Sequence, residues 1–141
     1  MLVNISYNNK EIIRNVEDAV GKPFKLKERW QMKGIGSPKL HIKQASIEIR
    51  TLLLLDNNMD CCNIEMRPKG IIVGFRSLLE SYALVIPYHK LTIFKGEASL
   101  YSIHCDNRFI KVEAKTKAVH RFFKKLLDYK TDNSPKFIEN L

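Results

Sequence analysis

The chain has 141 residues, 45% of them hydrophobic and 28% charged, with a formal net charge of +9. These values describe one globular domain and exclude a disordered polyelectrolyte. No apolar run approaches the roughly 18 residues a bilayer-spanning helix requires.

The opening residues lack a basic stretch followed by an apolar one, so no secretory leader is expected. Residues 10–20 place Ile12, Ile13, Val16, Ala19 and Val20 at helical spacing. Asn9 is the expected N-cap, and Gly21 with Pro23 is the stop. From Phe24 the pattern reads with period two. Phe24, Leu26, Trp30 and Met32 share one parity, with Glu28 as the exception, and Lys25, Lys27, Arg29, Gln31 and Lys33 share the other. That alternation predicts a half-buried strand with a basic outer face, ended by a turn at Gly34-Ile35-Gly36-Ser37-Pro38.

Residues 40–55 read as a long strand whose parity slips at Gln44-Ala45-Ser46, where a bulge or bend is expected. A turn is expected over 56–60. Cys62, Ile64 and Met66 alternate as the next strand. Pro68-Lys69-Gly70 is a tight connection, and Ile71, Val73 and Phe75 alternate after it. Residues 77–81 read as a loop and 82–86 as a strand, after which Pro87 marks a strand start or an edge. Further strands are expected at 91–94, 100–104 and 109–113, with turns at 95–97 and 106–108. Thr116 is the expected cap of a closing helix over 116–130, whose Val119, Phe122, Phe123, Leu126 and Leu127 form one apolar stripe.

These elements predict an α+β fold in a single domain over 1–141. It is a strongly bent antiparallel sheet or partly open β-barrel of about seven strands, closed by a C-terminal amphipathic helix and carrying an extra N-terminal helix. Residues 1–21 form the helical extension, 24–114 the barrel, 116–130 the closing helix and 131–141 a tail. This order of elements resembles the pleckstrin-homology (PH) superfold. The local likeness is to bacterial pleckstrin-homology-like and GRAM-type domains, through Lys69-Gly70-Ile71-Ile72-Val73 and through Ile86-Pro87-Tyr88-His89-Lys90-Leu91 before a strand at Thr92-Ile93-Phe94. The resemblance covers residues 24–130. It implies a fold that hosts binding, scaffolding and assembly roles, so it does not set a function by itself.

Charge is concentrated in two segments. Residues 22–43 hold seven Lys/Arg against Glu28, and residues 108–130 hold eight against Glu113 and Asp128. The expected anion site joins Lys25, Lys27 and Arg29 on one strand face to Lys39 and Lys43 on the next. The Lys25-x-Lys27-x-Arg29 pattern is similar to that of phosphoinositide-binding pleckstrin-homology domains. An edge strand blunted by lysines is the competing structural explanation.

Cys61, Cys62 and Cys105 are odd in number and include an adjacent pair, so reduced thiols are expected rather than disulfides. His41, His89, His104 and His120 are scattered without ligand spacing, and no metal or cofactor is expected. No phosphate loop, nucleophile elbow or metalloprotease motif is present, so no catalytic residue is assigned. The expected role is a non-enzymatic, cytoplasmic binding or assembly module of unknown ligand. Its partners fall in three classes: a protein or a second copy, nucleic acid, and an anionic lipid surface that would make it peripheral to a membrane.

Overall fold

The computed structural model describes residues 1–54, 60–96 and 99–133. The strands are β1 (Leu2–Asn4), β2 (Leu40–Ala45), β3 (Cys61–Arg67), β4 (Gly70–Ser77), β5 (Glu80–Pro87), β6 (Leu91–Lys95), β7 (Leu100–Cys105) and β8 (Arg108–Glu113). The helices are α1 (Lys10–Val20), α2 (Leu26–Gln31), α3 (Ile47–Leu54) and α4 (Lys117–Asn133). All eight strands form one antiparallel sheet in the order β1-β5-β4-β3-β2-β8-β7-β6. The sheet is open, with β1 and β6 at its edges.

Alternation decides the two faces. Ile71, Val73 and Phe75 of β4 and Leu84 and Ile86 of β5 belong to the main core, and α4 adds Val119, Phe122, Phe123 and Leu126 to it. On the opposite face α1 lays Val16 and Val20 on Ala83 and Val85. Strand β5 is thus covered on both sides, which explains its nearly unbroken apolar run.

Helix α1 starts where the sequence places it. The Asn9 Oδ1 accepts from the backbone N–H of Glu11 at 2.9 Å and of Ile12 at 3.2 Å. Gly21 ends it at φ +88°, a conformation glycine adopts without a Cβ penalty. Gly70 serves close approach rather than a turn. A Cβ there would meet the Ile86 carbonyl and lie 2.6 Å from the Val20 methyl. The Ile86-Pro87-Tyr88 segment has a mechanical role of the same kind. Buried Tyr88 donates to the Arg67 carbonyl at 3.0 Å, tying the β5–β6 connection to the end of β3.

Two predicted strands are helices. Residues 24–33 contain α2, so the alternating basic face does not exist there. The segment Leu26–Gln31 lacks any β-branched residue. Glu28, the exception to the period-two reading, turns back so that its carboxylate accepts from the Lys25 N–H at 3.1 Å. The second half of residues 40–55 is α3. Buried Ile49 and Leu53 are four apart, a spacing that fits period two as well as a helical turn, but Ile47 stands 79% exposed. The expected parity slip is real: the β2–β8 register shifts between Ile42 and Gln44.

Strand β1 escapes a sequence reading because three residues are too few to show a period. The expected loop at 77–81 is a tight turn at Leu78 and Leu79, with Leu78 at φ +58°. Helix α4 runs to Asn133, three residues into the expected tail. The expected turn at 56–59, Leu55, the Glu97 end of the 95–97 turn and tail residues 134–141 lie outside the described residues.

Helix α4 closes the inner face through rings. Phe123 stacks on Tyr101 with centroids 4.1 Å apart and planes 10° apart. Thr116 Oγ1 accepts from the Val119 N–H at 3.3 Å at the helix start. Of the expected stripe, Leu127 is 37% exposed, and Tyr129 instead reaches Phe24 and Tyr88, each at 5.8 Å. Phe123→Ala is therefore expected to destabilise the fold by roughly 3–5 kcal/mol, and Leu127→Ala by less than about 1 kcal/mol. Denaturant titration of both variants checks this, and equal losses would show that α4 does not dock on this stripe.

Candidate anion-binding surface

The Phe24–Tyr129 contact brings α2 to the side of α4. Helix α2 itself buries no residue. It is held at its two ends, by buried Phe24 before it and by half-buried Met32 and buried Ile35 after it. It ends in a left-handed turn, Lys33 at φ +58° and Gly34 at φ +94°. That turn presents two carbonyls to α4: Lys125 Nζ donates to the Lys33 carbonyl at 3.3 Å and to the Gly34 carbonyl at 3.1 Å. The ammonium group is drawn out of water and held beside Lys33. Both effects, desolvation first, lower the Lys125 pKa from its ordinary value.

The two basic segments of the sequence thus meet in space. Lys25, Lys27, Arg29 and Lys33 come from α2 and its end, and Arg121, Lys124 and Lys125 come from α4. Among the described residues none of these seven is within ion-pairing distance of a carboxylate. The Arg29 Nε donates to the Phe24 carbonyl at 2.9 Å, which anchors the helix and leaves the rest of the guanidinium outward. Glu28 on α2 and Asp128 and Asp132 on α4 are the acidic counterweights, and both α4 carboxylates line the same groove as Arg121, Lys124 and Lys125. The face also carries Trp30, 83% exposed, and Leu26 one turn earlier, 81% exposed.

The structure does not bring Lys39 and Lys43 into this group. Lys39 lines a groove of about 780 Å³ with Cys61, Asn63, Gly74 and Arg76, over β3 and β4. Lys43 is ion-paired with Glu113 at 3.1 Å, and that contact is the first cause of the lowered Glu113 pKa. The expected cross-strand cluster requires a strand at 24–33 and falls with it. The α4 helix, not the next strand, supplies the cation that reaches the end of α2, Lys125. Sequence charge counting locates both segments, but only tertiary contacts, the Tyr129 rings and the Lys125 hydrogen bonds, say that they adjoin.

Other chemistry-bearing side chains remain apart. Cys61 Sγ lies 3.6 Å from His41 Nδ1 across β2 and β3. His120 Nδ1 is 2.9 Å from the Tyr101 hydroxyl, and His104 lies against the Phe94 and Phe109 rings. No three His, Cys, Asp or Glu side chains gather into a metal-binding group among the described residues. No helix of the described residues is long and apolar enough to cross a membrane.

The cysteines are free, with Cys61 half-buried and Cys62 and Cys105 buried. Burial pushes the Cys62 thiol up to about 12, and the thiolate is the reactive form. Native protein at neutral pH is expected to show one fast-reacting thiol with Ellman's reagent, lost in Cys61→Ser, and three after unfolding. Two fast thiols in the native chain would show that Cys62 on β3 or Cys105 on β7 is open to solvent, and Cys62→Ser would tell which.

A scan against protein-family models, a search of curated proteins and a search of solved structures each find no match for this chain.

Proposed function

We propose that this protein is a non-enzymatic binding module of the pleckstrin-homology-like type, working on the cytoplasmic side, that engages an anionic partner through the α2–α4 surface. The observation that carries the reading is the Lys125 tether. It holds a cation of α4 against the end of α2, where Lys33 is also positive, with no described carboxylate within ion-pairing distance of either. Like charges held close repel, and a bound anion relieves the repulsion. The pleckstrin-homology part of the proposal is supported by strand order. A four-strand meander, β2 to β5, and a three-strand meander, β6 to β8, are joined through β2–β8 and followed by α4.

A solvated basic face without a partner is the competing account, and charge placement separates the two. Lys43, Lys90, Lys115 and Arg108 each sit within 4 Å of a carboxylate oxygen, Lys43 and Lys115 sharing Glu113, so their fields are locally reduced. The α2–α4 cations are not so compensated. The double variant Lys27→Glu with Lys124→Glu is expected to lose most retention on immobilised heparin and to flatten its salt dependence. The same charge change at Lys43 and Lys90 is expected to leave elution much closer to that of the parent. Elution salt measured for both pairs checks this. Equal losses would show that retention follows net charge and that no surface is selected.

A further inference from the structure

The single tryptophan of the chain stands exposed on α2. Leu26 precedes it by four residues, so both side chains lie on one helix face. Contiguous apolar side chains in water are unfavourable, and a six-residue helix that buries nothing gains no stability from them. They form an apolar wedge inside a cationic frame. Lys27 and Arg29 flank the pair along the helix, Lys25 and Lys33 sit at its two ends, and Lys125 of α4 is held at the Lys33–Gly34 end.

Resting on the anion-binding reading above, we propose that this wedge docks on an anionic lipid bilayer. Trp30 and Leu26 enter the boundary between headgroups and acyl chains while the cations lie among the phosphates. Trp suits that depth because its ring is apolar and its indole N–H still finds an acceptor there. Lysine stems add apolar length while their ammonium groups stay in the headgroup layer. Two observations favour a bilayer over a nucleic-acid strand. Binding along a strand uses successive exposed rings as stacking platforms, but Tyr88, Tyr101 and Phe123 are buried, and the other exposed rings, Tyr7 and Phe94, belong to the segment before α1 and to β6 rather than to α2 or α4. The side chain that accompanies Trp30 is aliphatic, with no π-face for a base, and it suits hydrocarbon.

The lone tryptophan makes the test direct, since its emission reports this helix and nothing else. The full chain is mixed with vesicles of phosphatidylcholine alone, and with vesicles that also contain phosphatidylglycerol, at one ionic strength. The expected result is a blue-shifted emission with the anionic vesicles only, quenched when the acyl chains are brominated. Leu26→Ala is expected to lower vesicle partitioning roughly tenfold, with heparin retention and the melting midpoint unchanged because the side chain supports no core contact. Unchanged emission on anionic vesicles overturns the proposal, as does equal partitioning by Leu26→Ala and the parent. A shift produced by single-stranded DNA and not by vesicles also overturns it, in favour of a nucleic-acid surface. Charge-selective heparin retention without vesicle binding would remove the lipid proposal alone. Loss of that selectivity would remove the anion-binding reading beneath it.

Discussion

The burial of one helix against the inner face of the sheet governs the rest of this molecule. An open sheet of eight strands carries a broad apolar face, and that face must be covered. Helix α4 covers it with Val119, Phe122, Phe123 and Leu126, and Phe123 stacks on Tyr101 at its centre. At roughly 1.5–3 kcal/mol per fully buried side chain, this stripe outweighs any surface interaction described for the chain. The commitment of one α4 face inward leaves Arg121 and Lys124 facing solvent. The position of α4 also sets that of Tyr129, which reaches Phe24 and Tyr88.

From Tyr129 the consequences pass to α2. A six-residue helix with no buried side chain is not stable alone. It persists because Phe24 is seated against Tyr129, Ile35 enters the core and Lys125 holds the carbonyls of the turn between. This scaffold leaves all of Leu26–Gln31 exposed, including a Trp and a Leu. Exposure of that kind on a held element, framed by uncompensated cations, ties the packing to the proposed role in binding.

The outer face of the sheet shows the same economy of means. Helix α1 reaches β5 through Val16 and Val20, and its end approaches β4 so closely that only Gly70 fits beneath Val20. The short strand β1 pairs with β5 along the edge next to this contact. The N-terminal segment is thus part of the packing of β4 and β5.

Much of this was legible in the amino-acid order. The caps Asn9 and Thr116, the stop at Gly21, the alternating strands from Cys61 to Glu113 and the stripe of α4 all follow from local rules, because each depends on residues close in sequence. The slip near Gln44 was legible for the same reason. The two misread segments share one physical cause. In Leu26–Gln31 and Ile47–Leu54 the apolar residues sit at spacings that fit both a strand and a helical turn, and intrinsic preference is too weak to choose between them. Neighbours made the choice: the Glu28 carboxylate at the Lys25 N–H, and the seat of Ile49 and Leu53 in the core. The sequence by itself determined two basic segments and a closing helix. Only the tertiary structure decided that the two ends of the α2 segment, Phe24 and the Lys33–Gly34 turn, adjoin α4. Side chains more than a hundred residues apart meet there in the Phe24–Tyr129 contact, and no local pattern encodes a contact at that separation.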